Sequence, residues 1–187
     1  MPSESIVVIV LAGGRGDRFR ASGGAVHKLD ALLGGVPVLQ HVLNTVWAAG
    51  LPVHLVRPDG GTLGMGDSIA MGVRAMAQAT GWLMLPGDLP LVQPGSLRQV
   101  AGALASHPVA VPRWQRQSGH PVGFRAECRD ALMALGGDAG AASIVRAWRA
   151  QQGVADVELD DPGIQMDIDT VDDLARAEEW LGKHPFR

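Results

Sequence analysis

The sequence predicts an α/β fold: one domain, built on a twisted, mostly parallel sheet with helices on both faces. Three observations predict it. An unbroken apolar run, Ile6–Leu11, leads straight into a glycine turn, as a buried strand does. Short apolar runs then alternate with helical-period segments along the chain, the pattern of βα units around a parallel sheet. Finally, 187 residues of which 47% are hydrophobic and 19% charged make a globular chain with ample core, so residues 1–187 read as a single domain.

The elements follow in order. Ile6–Leu11 is the first strand; it is too short for a membrane span, and the start has acidic Glu4 and no basic leader, so neither a signal peptide nor a membrane anchor is expected. Pro37 suits a first helical position. Leu39, Val42, Leu43, Val46 and Trp47 fall at i, i+3, i+4, i+7 and i+8, a helix with one buried stripe that Gly50 stops. Val53–Val56 is a short strand. Ile69, Val73, Met76 and Ala77 repeat the helical spacing, and Trp82–Leu85 is a strand that ends in PGDLP. Leu97, Val100, Ala101 and Leu104 mark a helix, Val109–Val111 a strand and His120–Phe124 another. Glu127–Leu135 and Ala141–Gln151 read as helices separated by GGDAG, and Val154–Leu159 as a late strand. Thr170 caps a last helix carrying Leu174, Ala177 and Leu181. The tryptophans sit at helix and strand positions, as core or rim. No internal repeat and no long linker interrupts this order.

Charge and cysteine content narrow the function. A net charge of −3 argues against a general nucleic-acid binder. The single cysteine, Cys128, excludes an intrachain disulfide and a cysteine-cluster zinc site, and reads as a small apolar or surface residue. The composition fits a cytoplasmic enzyme.

The chemistry concentrates in a few segments. LAGGRGDRF (Leu11–Phe19) sets Leu11, Ala12, Gly13 and Gly14 at the end of the first strand, followed by Arg15 and Arg18, with Lys28 further on. Gly13 and Gly14 are expected to take positive φ and let backbone N–H groups form an anion-binding concavity. The arginines and Lys28 add positive charge suited to a triphosphate. The Walker phosphate loop and the dinucleotide fingerprint are both unmatched here, and the same residues also fit an ordinary strand-to-loop connection with surface cations. Asp88 in PGDLP stands at a strand's carboxyl end, the edge where open α/β sheets bind ligands. A carboxylate there suits Mg²⁺; a turn aspartate before Pro90 is the other reading. In DIDT, Asp167 and Asp169 alternate with Met166 and Ile168, so on a strand both face one side. Asp169 is the preferred second metal ligand, with Asp167 its alternate, and it also fits as the cap of the last helix. GMGDSI (Gly64–Ile69), with Gly66 and Ser68, reads as a glycine loop opening a helix that Ser68 or Asp67 caps. His120 in GHPV reads as a packed histidine. His27 beside Lys28 has no assigned role.

Taken together and in order, LAGG with its arginine and lysine, GMGDSI, PGDLP, GHPVGF, and GDAGA with DIDT resemble the molybdenum cofactor cytidylyltransferase family and its guanylyltransferase sister. The likeness spans Val7 to about Leu181. It implies a nucleotide-diphospho-sugar transferase-like, Rossmann-like fold. It implies that an acceptor phosphate attacks the α-phosphorus of a nucleoside triphosphate, CTP or GTP, with release of pyrophosphate, and that the acceptor is a phosphorylated small molecule of molybdopterin type. It implies that Arg18 and Lys28 hold the β- and γ-phosphates with the Leu11–Gly14 loop, that Asp88 and Asp169 hold Mg²⁺, that Gly66 and Ser68 contact base and ribose, and that His120 recognises the acceptor. A transient contact with a molybdoenzyme or its chaperone is implied as well. LAGG resembles the guanylyl branch, and GMGDSI, GHPV and GDAGA the cytidylyl branch, so CTP is favoured. Two departures stand out. A helix and a strand usually follow the second strand, whereas here RPDGGTLGMG follows Val56 at once, which opens the wall beside the base. The stretch between Arg18 and Lys28 is longer than usual and is expected to be ordered by ligand. A glycosyltransferase, or a non-catalytic binding protein on the same fold, would share the sheet and the carboxylates.

Overall fold

The computed structural model of the chain describes residues 5–184. Its sheet is centred on β1 (Ile6–Leu11), which pairs in parallel with β4 (Val53–Val56) on one side and β5 (Gly81–Pro86) on the other. A strand paired on both edges and covered on both faces has to be apolar throughout, and Val8, Ile9 and Val10 are fully buried. Beyond β5 lies β8 (Val122–Arg125), antiparallel to it, then β6 (Val109–Trp114), antiparallel to β8. The far edge of β6 carries β9 (Val154–Glu158) in parallel, and its carboxyl end forms a hairpin with β7 (Gln117–Ser118). The result is one seven-stranded sheet in which five strands run the same way, an α/β fold with a mixed, mostly parallel sheet.

Side chains alternate across these strands, and the two sets build two cores. Val8, Val10, Leu83 and Leu85 pack under α2 (Val38–Ala49), α4 (Pro94–Ala103) and α7 (Val171–Lys183). Val7, Ile9, Trp82 and Met84 pack under α3 (Met65–Ala75), α5 (Arg129–Met133) and α6 (Ala142–Ala150). Cys128 is buried in the second core, where burial pushes its thiol up to about 11. Among the described residues no helix is long and apolar enough to cross a membrane.

The structure departs from the sequence reading at short elements. A five-residue helix, α1 (Asp17–Ala21), follows the glycine turn and buries Phe19. A small hairpin, β2 (Leu32–Leu33) with β3 (Val36–Pro37), turns at Gly34 and Gly35, both at positive φ as a two-residue turn demands. Pro37 belongs to that hairpin, so it precedes α2 rather than beginning it. β6 runs on through Pro112 to Trp114, held between β9 and β7. The expected 127–135 helix divides into a 3₁₀ turn, Ala126–Cys128, and α5. The expected strand at 120–124 starts only at Val122. Between Ala110↔Gly123 and Arg113↔Ser118 the pairing with β6 slips by two residues; Gly119 N–H still donates to the Pro112 carbonyl, and His120 and Pro121 bulge out of the ladder.

Candidate active site

The carboxyl ends of β1 and β5 open on a cavity of about 890 Å³. One wall is the glycine turn. Gly13 and Gly14 line it, but neither has positive φ; the left-handed residue is Gly16, with φ 68°. Gly13 is a glycine for want of space, since a Cβ there would lie 2.7 Å from Thr62 Oγ1 and 2.8 Å from Ser68 Oγ. Those two hydroxyls are hydrogen-bonded to each other at 2.7 Å, and Thr62 N–H donates to the Gly13 carbonyl at 3.1 Å. Thr62 is a site residue the sequence reading missed; its only signal is its place between the second strand and GMG. His27 donates from Nε2 to the Gly14 carbonyl at 2.9 Å and accepts the Leu29 N–H at Nδ1, so it braces the turn.

Opposite stand three carboxylates. Gly87 N–H donates to the Leu11 carbonyl, which brings Asp88 beside the turn. Ile168 N–H donates to the Asp88 carbonyl at 2.9 Å, which brings Asp167 and Asp169 to the same rim. Residues 166–169 form no strand, yet the expected alternation holds, because Ile168 is buried between the two aspartates. One oxygen from each of Asp88, Asp167 and Asp169 lies within 4.8 Å of the others. Such an all-oxygen donor set suits a hard divalent cation. Asp169 is not the helix cap: Thr170 is, and it forms a reciprocal capping box with Asp173, which leaves the Asp169 carboxyl to the cavity.

Two cations from the glycine-turn side reach these carboxylates. Lys28 Nζ donates to Asp88 at 2.6 Å and to Asp169 at 2.7 Å, and Arg18 donates to the other Asp169 oxygen. Burial works to lower the pKa of Lys28, but the charges and hydrogen bonds of Asp88 and Asp169 outweigh it and hold the ammonium above its ordinary value. Asp167 is exposed as a residue, but partial desolvation at the cavity, followed by the charges of Asp88 and Asp169, raises its carboxyl against the pull of Lys28.

The third wall is made by GMGDSI and GDAG. Neither Asp67 nor Ser68 caps α3, because both lie inside it. Asp67 instead accepts the Gly137 N–H at 2.9 Å, and Ser68 donates to the Gly64 carbonyl. Ser68 faces the cavity. Gly66 does not: its N–H donates to the Gly137 carbonyl at 2.8 Å, and a Cβ on it would lie 2.6 Å from the Ala139 carbonyl. Gly66 is thus the contact that lets residues 136–139 close against α3, with Asp138 on the cavity. With Thr62, Leu63 and Gly64 of the 57–64 loop they form this side of the cavity. His120 lines the far side, displaced inward by the bulge. Its Nδ1 is buried with no hydrogen-bond partner among the described residues. Burial lowers its pKa, with the Asp88 charge and the Met84 backbone acting the other way.

Residues 8–154 match the MobA-like NTP transferase domain family. The chain is 32% identical over 127 residues to the bifunctional protein GlmU of Leifsonia xyli subsp. xyli, covering 55% of this chain and 26% of that protein. It spans about a quarter of the length of the curated relatives it matches. Among solved structures, Rv0371c from Mycobacterium tuberculosis H37Rv superposes with a TM-score of 0.77 at 24% identity, covering 96% of this chain and all (100%) of that one; it has also been crystallised in complex with manganese. The molybdopterin-guanine dinucleotide biosynthesis protein A of Archaeoglobus fulgidus superposes with a TM-score of 0.62 at 18% identity over 95% of this chain and 99% of that one. These structural likenesses establish the fold. With the family match running from β1 to the start of β9, across the glycine turn, Lys28, Asp88 and the α3 wall, the chain belongs to the MobA-like NTP transferase domain family of nucleotidyltransferases.

Proposed function

We propose that the chain transfers a nucleoside monophosphate from CTP, in preference to GTP, to a phosphorylated small acceptor of molybdopterin type. The observation that carries this reading is Lys28, held 2.6 Å from Asp88 and 2.7 Å from Asp169 on the rim of a cavity walled by the glycine turn. A cation-rich turn facing paired carboxylates is the equipment of phosphoryl chemistry, in which positioning and charge neutralisation supply most of the rate. An acceptor phosphate oxygen is already ionised near neutral pH and attacks the α-phosphorus. The bond from that phosphorus to the oxygen bridging the β-phosphate breaks, and pyrophosphate departs with the electron pair. No side-chain base is needed, so His120, which lines the cavity, serves acceptor recognition rather than proton abstraction.

The three carboxylates fit Mg²⁺, with Asp88 and Asp169 as the main ligands and Asp167 beside them. When bound, the ion supplies Lewis-acid polarisation of phosphate oxygens. Lys28 and Arg18 would hold the β- and γ-phosphates, together with the amides of the Leu11–Gly14 turn. Gly13 is the feature that resembles the guanylyl branch. Its close approach to Thr62 and Ser68 gives it a packing reason that is independent of the base, so the remaining segments weigh toward CTP. Imperfect pockets discriminate by roughly ten- to a hundredfold, and that is the margin expected in kcat/KM for CTP over GTP. Pyrophosphate release measured with each of four nucleotides and Mg²⁺, with molybdopterin, with a sugar phosphate and with no acceptor, tests it. GTP turning over faster would move the chain to the guanylyl branch. Turnover only with the sugar phosphate would replace the acceptor class.

A further inference from the structure

The two segments that carry the cavity carboxylates are joined by a fourth, buried carboxylate, Asp161. Asp161 is 1% exposed, and its two oxygens face different parts of the chain. Oδ2 accepts the Gln93 N–H at 2.9 Å and the Ser96 hydroxyl at 2.6 Å, at the start of α4 and just beyond PGDLP. Oδ1 accepts the Gly163 N–H at 2.9 Å, in the 3₁₀ turn Pro162–Gln165 that leads into DIDT. There the backbones touch directly, since a Cβ on Gly163 would lie 2.2 Å from the Leu91 carbonyl. The second tie is the Ile168 N–H on the Asp88 carbonyl, at the carboxylates themselves.

We propose that Asp161 is a positioning residue that sets the separation of Asp88 from Asp167 and Asp169, and so the affinity of the cavity for a divalent cation. The inference rests on reading those carboxylates as cation ligands. A helix start needs only a local capping side chain. Here Gln93 supplies none, and the cap comes from 68 residues away in sequence. A remote cap is what fixes one segment against the other. An uncharged amide cannot do the same work: a carboxylate accepts on both oxygens, whereas asparagine presents one acceptor and one donor, so one of the two segments loses its anchor. Partners that orient metal ligands typically cost 10–100-fold in metal affinity when removed, and Asp161 acts through backbone, which sets the expectation at the lower end.

The test is the dissociation constant for Mn²⁺, read from the spin-resonance signal of the free ion, on the whole chain without nucleotide. Asp161→Asn should weaken Mn²⁺ about tenfold. Ser96→Ala, which removes one bond and leaves the rest, should shift it the same way by a smaller factor, and it carries the test if Asp161→Asn does not fold. Leu132→Ala, a core truncation on the opposite face of the sheet, should lower the melting temperature and leave Mn²⁺ binding unchanged. Mn²⁺ affinity within twofold of wild type in the folded Asp161 or Ser96 variant would overturn the positioning role and leave the cation site standing. Wild-type protein that takes up no Mn²⁺ would overturn the cation reading itself, and this proposal with it.

Discussion

Lys28 makes two short ion pairs at once, and only one ligand environment can use it at a time. While its ammonium bridges Asp88 and Asp169, it supplies the positive charge that a metal would bring to those carboxylates on the proposed cation site. Removing it leaves carboxylates at close quarters with less compensation. Lys28→Ala should therefore act in opposite directions on two ligands. Triphosphate binding should weaken and turnover fall by about a hundredfold, as for loss of one charge contact in a transition state. Mn²⁺ binding to the nucleotide-free protein should tighten. Calorimetric titration of the variant with Mn²⁺, and separately with CTP, checks both arms; weaker Mn²⁺ binding would show that Lys28 supports the carboxylates rather than competing for them. At this scale the sequence was informative where residue type alone carries the chemistry. Arg18, Lys28, Asp88, Asp167 and Asp169 all reach one cavity. It was silent where the role depends on what lies opposite in space. Gly66 looks like a ligand-contacting glycine until the 136–139 backbone is seen against it, and Thr62 and Asp161 carry no local motif.

The last helix shows how an element holds a site residue without containing it. Thr170 and Asp173 close a capping box around the start of α7, one residue past Asp169. Burial works to raise the Asp173 carboxyl, but the Thr170 hydroxyl, the Thr170 and Asp169 N–H groups and Arg176 outweigh it and hold the pKa below the ordinary 3.8. A carboxyl depressed on folding stabilises the protein above its unfolded pKa, and that contribution is lost as pH falls through the folded value. Thr170→Ala should cost about 1 kcal/mol at neutral pH, or roughly 2–4 °C in melting temperature for a domain this size. The gap from wild type should narrow as pH falls below the ordinary carboxyl range and Asp173 takes up its proton. Thermal unfolding at neutral pH and at successively lower pH measures it, and a gap that stays constant would show that the cap acts without Asp173. This helix was legible because a cap, an acidic first turn and an apolar stripe agree. The elements that were not legible are short. α1 has five residues and β2, β3 and β7 two each, too few for any period to show, and the bulge at His120 is a change of pairing register that no local pattern records.

Across the whole molecule the site draws on segments far apart in the chain: the turn and Lys28 after β1, Asp88 after β5, and Asp167 with Asp169 before α7. The two cores on either face of the sheet fix the strands, and the strand ends fix the site. The unfolded chain cannot assemble that set, so a ligand that needs all of it binds only the folded state and stabilises it by mass action. At a concentration of one hundred times its dissociation constant the gain is about 2.7 kcal/mol, which corresponds to roughly 5–10 °C for a domain of this size. CTP with Mg²⁺ is the ligand that should deliver it. On the proposed function, CTP alone would meet the glycine turn with no cation between its triphosphate and the carboxylates, so its shift should be under half as large. In Asp88→Ala the metal increment should vanish while the CTP-only shift persists, because the turn, Arg18 and Lys28 are still present. Melting curves of wild type and variant with CTP, Mg²⁺, both and neither give the four comparisons. Equal shifts for CTP with and without Mg²⁺ in the wild type would mean that nucleotide and metal do not meet in this cavity, and would separate the glycine turn from the carboxylates as sites of one reaction.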